Sequence, residues 1–89
     1  MVYNMAVLTT TTKTTTDSKG VSKTKEITLG SAGDAYYVMY VIIKPELELD
    51  GVTEVLRRHV IFEKPYGSLK IAKRWYTNYI KQYITHKSK

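Results

Sequence analysis

The stretch AYYVMYVII at residues 35–43 constrains the fold more than any other part of the chain. In an extended strand successive side chains point to opposite faces, and both faces are apolar here. The even-numbered face is formed by Tyr36, Val38, Tyr40 and Ile42, and the odd-numbered face by Tyr37, Met39, Val41 and Ile43. A strand with two apolar faces is typical of the centre of a sheet. We expect a helix to cover one face, and an N-terminal hairpin or another subunit to cover the other.

The neighbouring segments predict further antiparallel strands. Residues 25–29 and 35–43 flank the turn sequence GSAGD, which indicates a hairpin. Asp50-Gly51 is a typical hairpin-turn dipeptide, and residues 52–62 after it are rich in β-branched residues. This strand would place Leu56, Arg58, Val60 and Phe62 on one face and Arg57, His59 and Ile61 on the other. The alternative is a helix capped by Asp50, and the Asp-Gly pair together with HVIF favours the strand.

The N-terminal segment 1–20 contains the run TTTTKTTT and has two interpretations. Threonine is β-branched and favours strands, and DSKG at 17–20 could then close a hairpin. Alternatively, the segment is a flexible polar arm, because threonine runs bury little surface. The sequence alone does not choose between them.

A C-terminal amphipathic helix is the clearest element of the sequence. Pro65 and Gly67 break the preceding strand, and Ser68 can cap a helix. Apolar residues then recur at spacings of three and four, namely Leu69, Ala72, Tyr76, Tyr79 and Tyr83, with Trp75, Ile80 and Ile84 widening the stripe. The pattern predicts a helix of about 16–18 residues, with Trp75 and Tyr76 buried against residues 36–43.

Together these elements predict the α+β fold class. We expect a three- to four-stranded antiparallel β-meander with one C-terminal amphipathic helix packed on one face. Residues 21–86 would form a single α+β domain, preceded by the Thr-rich segment 1–20 and followed by a basic tail at 87–89.

Charge is distributed unevenly along the chain, whose net charge is +6. Residues 64–89 contain lysine and arginine but no acidic residue, whereas residues 46–50 are acidic. Such asymmetry favours a polyanionic partner, with nucleic acid first and an anionic membrane surface second. The alternative is an ordinary solvated surface.

The basic residues of the predicted helix fall on one face beside the apolar stripe, at about 100° per residue. The adjacent Arg57 and Arg58 would point to opposite faces of a strand, so only one of them could join this surface. The candidate nucleic-acid-binding residues are Lys70, Lys73, Arg74, Lys81, Arg57 and Arg58.

The sequence offers little for catalysis or cofactor chemistry. It has no cysteine, and neither of its two histidines lies near an acidic pair, so we expect no metal site. The acidic residues Glu46, Glu48 and Asp50 are interpreted as solubilising. No phosphate-binding loop, dinucleotide turn or catalytic Ser-His-Asp grouping is present, so we expect no enzyme activity, cofactor or small-molecule substrate.

Location follows from what the sequence lacks. No apolar run approaches the roughly 20 residues that a membrane-spanning helix needs. The N-terminus MVYNMAVLTTTT lacks the basic start and apolar segment of a secretory signal. We expect a soluble cytoplasmic protein with no membrane span, with the virion as the alternative location.

Three short stretches resemble nucleic-acid-binding families. GSLKIAKR at 67–74 resembles the start of the last helix of double-stranded-RNA-binding domains, with Ser68, Lys70, Ala72 and Lys73 at matching positions. Leu69 stands where that family has a lysine. The predicted sheet followed by a helix is similar to the arm-binding domains of phage-type integrases, which imply DNA binding through the sheet. Short pieces of residues 18–34 resemble AbrB-type DNA-binding hairpins. We assign no family from these resemblances.

The sequence therefore predicts a small basic, non-enzymatic protein that binds nucleic acid, DNA in particular, through phosphate contacts. We also expect a homo-oligomer. The alternative function is a self-assembling structural or interaction protein, of the kind that viruses and mobile elements encode.

Overall fold

The computed structural model describes residues 5–85, which form one sheet and a C-terminal helical segment. Four antiparallel strands lie in chain order: β1 (Ala6–Thr16), β2 (Ser22–Ala32), β3 (Ala35–Leu47) and β4 (Glu54–Tyr66). Helix α1 (Leu69–Tyr79) follows and continues into a π-helix, Ile80–Ile84. The predicted α+β meander with one C-terminal helix is confirmed, and it has four strands. The predicted basic tail at 87–89 lies outside the described residues.

The Thr-rich segment is the edge strand β1, because Asp17 and Gly20 close a hairpin between β1 and β2. The Asp17 carboxylate accepts the backbone N–H groups of Lys19 at 2.8 Å and Val21 at 3.0 Å. Gly20 has a φ of +82°, which side chains with a Cβ rarely adopt. β1 extends the sheet beside β2 and does not cover its second face, so the expected hairpin cover of that face is wrong.

The connection between β3 and β4 is the predicted Asp-Gly turn, so the helical alternative for residues 52–62 is wrong. Asp50 accepts the Thr53 hydroxyl at 2.7 Å and the N–H groups of Val52 and Thr53 at 2.8 Å each. These hydrogen bonds, first that of the Thr53 hydroxyl, hold the pKa of the Asp50 carboxyl below its ordinary value. The Asp50 carboxylate therefore holds the turn together with two backbone hydrogen bonds, from the Glu48 N–H to the Thr53 carbonyl at 2.7 Å and from the Gly51 N–H to the Glu48 carbonyl at 2.9 Å.

A β-bulge in β4 changes which side chains reach the core. Tyr40 pairs with Phe62 but Val41 pairs with Val60, so Ile61 is the extra residue. Phe62 consequently lies on the same face as Arg57 and His59. The prediction that Phe62 shares a face with Val60 was wrong, because the bulge reverses the alternation beyond Ile61.

The core lies between α1 and one face of the sheet, which we call the helix-covered face. Its buried centre comprises Ile27, Leu29, Val38 and Tyr40 from the strands and Ala72, Tyr76, Tyr79 and Ile84 from the helical segment. The Tyr66 and Tyr79 hydroxyls are 2.8 Å apart, and burial together with this hydrogen bond raises the pKa of Tyr66. Burial also raises the pKa of Tyr40. The tyrosine rings are thus mainly core residues.

Aromatic stacking joins the helical segment to the central strands. The ring of Tyr83 in the π-helix stacks on Tyr40 with centroids 4.6 Å apart, and Tyr79 lies 4.8 Å from Phe62. Tyr76 is 9% exposed, as expected, whereas Trp75 is 40% exposed and stacks at the sheet margin on Tyr66. The prediction that Trp75 is buried was wrong, because at 100° per residue it falls at the border of the apolar stripe.

The opposite face of the sheet, the open face, is covered by no element within residues 5–85. An ion pair runs across its centre: Arg58 of β4 reaches Glu26 of β2 at 2.8 Å, over the intervening strand β3. Val41 of β3, which is opposite Glu26 in the register, is fully buried. Hydroxyl pairs such as Thr14–Thr24 at 2.8 Å cover the adjoining strands. Polar side chains therefore shield part of the second apolar face.

The core predicts graded losses of stability at two adjacent helix positions. Tyr76→Ala should lower the free energy of unfolding by about 3–5 kcal/mol, because a buried ring is removed. Tyr76→Phe should lower it by about 1 kcal/mol, since only the 2.7 Å hydrogen bond to the Thr11 hydroxyl is lost. Trp75→Ala should have a smaller effect than Tyr76→Ala. Urea denaturation measures all three, and equal losses at positions 75 and 76 would contradict the helix orientation.

Candidate nucleic-acid interface

Helix α1 and the π-helix present the four basic residues predicted from the sequence to solvent. Lys70, Lys73, Arg74 and Lys81 are all exposed. None of them forms an ion pair with a carboxylate of the described residues, where every ion pair involves Arg57, Arg58 or His59. Their charges are therefore available to an external anion.

The helix turns this basic surface away from β4. Trp75 and Tyr79 contact aromatic rings of β4, whereas the Tyr76 hydroxyl reaches Thr11 of β1. At 100° per residue, position 73 lies beyond position 76 on the β1 side, and positions 70, 74 and 81 lie on the outer surface. The Ser68 hydroxyl already accepts the Ile71 N–H at 3.3 Å, so an anion at this helix would be bound mainly by the basic side chains.

Arg57 and Arg58, the other two predicted residues, lie on opposite faces of β4 and are both bound to carboxylates. Arg57 contacts Glu46 at 3.4 Å and Glu48 at 3.0 Å on the helix-covered face, while Arg58 is bound to Glu26 on the open face. The structure thus does not bring either arginine into the unpaired basic surface. Both instead hold strands together.

Four lysines that the sequence reasoning did not select lie on the helix-covered face. We call them the strand-end cluster: Lys13 of β1, Lys23 and Lys25 of β2, and Lys44 of β3. The register places Lys13 opposite Lys25, and Lys23 and Lys44 directly follow the last β2–β3 pair, Thr24–Ile43, at the same end of the sheet. Directly opposed side chains in antiparallel strands have Cβ atoms about 4.5–5.5 Å apart. The sheet therefore gathers four positive charges at one end.

The environment of the strand-end cluster leaves most of this charge uncompensated. Lys13, Lys23 and Lys44 are exposed and form no ion pair within residues 5–85. Lys25 donates to the Tyr83 backbone carbonyl at 3.3 Å, near the negative end of the helical segment. Lys23 and Lys44 line a depression of about 300 Å³ beside the β1–β2 turn. Like charges directly opposite one another destabilise a sheet, so fold stability does not explain this arrangement.

The two faces of the sheet differ in charge. Glu26, Glu54 and Glu63 lie at open-face positions of the register. On the helix-covered side Glu46 and Glu48 are bound to Arg57, and Glu46 also lies 2.7 Å from His59. The unpaired cations of helix and sheet therefore share one side of the molecule.

The strand-end cluster had a signal in the sequence. If DSKG closes a hairpin, Lys13 pairs with Lys25 and Thr15 pairs with Lys23. These four side chains then lie on one face of the hairpin, so three of the four clustered lysines could be placed together. This prediction requires the strand interpretation of the Thr-rich segment. The flexible-arm interpretation does not lead to it, because the side chains of a disordered arm have no fixed strand partners.

Other kinds of site are not found in the part of the chain that the structure describes. Residues 5–85 contain no group of three or more His, Asp or Glu side chains placed to hold a metal ion. None of the helices described there is long and apolar enough to cross a membrane.

Comparison with known proteins finds no family model, no curated protein and no solved structure that matches the chain. The short resemblances to nucleic-acid-binding families therefore gain no support from a longer match. The fold and site define a small α+β protein with one strongly basic side, and its function has to be inferred from that side.

Repulsion among the lysines of the strand-end cluster should lower the free energy of unfolding of this protein. Lys23→Gln should raise the free energy of unfolding by about 0.2–1 kcal/mol at low salt, because like-charge repulsion is relieved. The gain should disappear near 1 M salt, where the Debye length is about 3 Å. Urea denaturation at both salt concentrations measures it. Lys19→Gln, in the exposed turn, is the matched control and should have little effect, and a gain at position 19 equal to that at position 23 would contradict a local repulsion.

Proposed function

We propose that this protein is a non-enzymatic nucleic-acid-binding protein that holds duplex DNA against its helix-covered side. The observation that carries the proposal is the collection of unpaired cations from two sequence-distant elements on that one side. The phosphate groups of a nucleic acid form a regular series of anions, so one molecule could contact the cations of the helix and those of the sheet at the same time. A single small anion would need only one of the two groups of cations.

The geometry supports an extended ligand. The molecule is flat, with extents of 44 × 40 × 16 Å, and its broad dimension exceeds one turn of duplex DNA, about 34 Å. Lys70, Lys73 and Arg74 on the helix and the strand-end cluster on the sheet would contact different phosphates. Contacts of this kind give affinity and orientation but no base identity, so we propose binding with little sequence preference. A nucleic-acid ligand agrees with a location in the cytoplasm or in a virion.

Salt dependence of binding tests the proposal directly. If the four basic residues of the helical segment each neutralise one phosphate, log K should fall with log salt with a slope of about −3 to −4, and contacts of the strand-end cluster should steepen it. Replacing Lys70 and Arg74 together by Gln should reduce the slope by about 2 and weaken binding equally for unrelated sequences. Fluorescence anisotropy with a labelled duplex measures this. An absence of binding at low salt and micromolar protein would overturn the proposal.

A matched pair of substitutions tests which face binds. Thr15 and Thr16 are adjacent and exposed, but Thr15 pairs with Lys23 on the helix-covered face while Thr16 bonds Ser22 on the open face. Both Thr→Glu variants change the net charge equally. Thr15→Glu should weaken DNA binding several-fold more than Thr16→Glu, because only its carboxylate would lie on the helix-covered face, directly opposite Lys23.

Equal losses of DNA affinity in the two variants would contradict binding through the helix-covered side.

The kind of nucleic acid is tested by measuring the binding of duplex RNA and of single-stranded DNA of the same sequence. Tighter binding to duplex RNA than to duplex DNA would reassign the ligand. Self-assembly, the other function expected from the sequence, would use a surface other than the helix-covered side.

A further inference from the structure

The two edges of the sheet are protected to very different degrees. An unpaired edge strand is a template for pairing with another chain, and proteins block it with bulges, prolines and charges. β4 has all three: the bulge at Ile61, Pro65, and the charged residues Arg57, Arg58, Glu63 and Lys64. In β1 the bulge at Leu8 leaves Thr9–Thr16 in regular register, and Lys13 is the one charge in that segment. β1 is thus the open edge.

β1 also gains little from the rest of its own chain. Every residue of the strand except Thr11 is exposed. Thr11 is half-buried and bonds the Tyr76 hydroxyl at 2.7 Å, while β2 provides the one hydrogen-bond ladder described. Fixing an extended backbone has a large entropic cost, and burial of apolar side chains does not offset it here. A second ladder on the outer edge would supply the missing stabilisation.

We propose that two copies of this protein pair through β1, antiparallel, about a two-fold axis that is perpendicular to the sheet and passes midway between Thr12 and Thr12 of the other copy. The result is a continuous eight-stranded sheet. A two-fold arrangement closes on itself, because each β1 meets the same surface of its partner. Opposed residues in an antiparallel pair share a face, so both helix-covered faces lie on the same side.

The threonines and Lys13 select this register. With Thr12 opposite its own copy, Thr10 lies opposite Thr14 on the open face, and threonine pairs continue the pattern already formed inside the chain, where Thr10 and Thr28 are 3.2 Å apart. Lys13 then lies opposite Thr11 of the partner. A register centred on Lys13 would place two like charges directly opposite one another, which is unfavourable. The chosen register also leaves the bulge at Leu8 outside the paired segment.

The pairing would join the basic surfaces of the two copies. Lys73 lies on the β1 side of α1, and Lys13 lies on β1 itself, so both would border the shared centre of the sheet. A consequence, which rests on the proposed function, is a doubled phosphate-binding surface. The pairing itself requires no nucleic acid.

Cysteine cross-linking tests the contact without ambiguity, because the chain has no native cysteine. Thr12→Cys should form a disulfide-linked dimer on mild oxidation, since the two-fold axis brings position 12 next to its own copy. Val60→Cys is the matched control: it is an exposed open-face residue on the other edge strand and should remain monomeric on a denaturing gel. Equal disulfide cross-linking of the two variants would overturn the proposed contact. The absence of cross-linking in the Thr12→Cys variant would also overturn it.

Light scattering without nucleic acid gives an independent measurement. The wild-type protein should have twice the mass of one chain, and Thr12→Lys should raise the dimer dissociation constant about tenfold or more through Lys–Lys repulsion at the axis. Within one chain the new lysine would lie opposite Glu26, so folding, checked by circular dichroism, should be retained. A wild-type monomer, or open-ended polymers, would overturn the two-fold pairing whether or not the protein binds DNA.

Discussion

The packing of the tyrosine side of α1 on one face of β2 and β3 is the interaction on which the rest of the structure depends. Ile27, Leu29 and Val38 are fully or almost fully buried beneath Ala72 and Tyr76. Because the chain is short, this is its one described core, and removing it would leave a sheet with no covered face. The same packing determines which face of every strand is turned toward the helix. Each charged side chain of the strands therefore lies either on the helix-covered side or on the open side of the molecule.

That assignment creates a conflict between stability and charge. The carboxylates at Glu46 and Glu48 bind Arg57, and Glu26 binds Arg58, so these charges support the sheet. The lysines at positions 13, 23 and 44 repel one another and have no such partner among the described residues. A sheet under selection for stability alone would have no reason to place like charges at opposed positions. A bound polyanion would relieve this conflict, which is the physical basis of the proposed function.

The open face and the β1 edge present two different surfaces to a second copy. The open face is partly closed within one chain, since the Arg58–Glu26 pair crosses Val41 and threonine hydroxyls pair beside it. The edge of β1 instead offers backbone groups, which side chains of the same strand do not satisfy. The proposed assembly through the edge would leave both faces unchanged, so it would be compatible with a ligand on the helix-covered side.

The sequence by itself determined the elements whose signals are local. The continuous apolar run at 35–43, the Asp50-Gly51 turn and the three-and-four spacing from Leu69 to Tyr83 are each contained in a short stretch of sequence, and the strand, turn and helix that they predict are all present. The basic surface formed by Lys70, Lys73, Arg74 and Lys81 follows from the helical period in the same way.

Only the tertiary structure decided the features that depend on strand pairing. The bulge at Ile61 places Phe62 on the helix-covered face. No local sequence pattern predicts an extra residue in one strand of a pair, so this placement depends on the strand pairing. Pairing of β2 with β1 on one side and with β3 on the other brought Lys13, Lys23, Lys25 and Lys44 together, although no helical or strand period connects their positions in the chain. Trp75 lies at the border of the apolar stripe, where the helical period leaves its burial undecided, and the packing on Tyr66 at the sheet margin left it 40% exposed. Periodicity fixes the direction of a side chain relative to its own element, whereas its neighbours depend on how the elements pack.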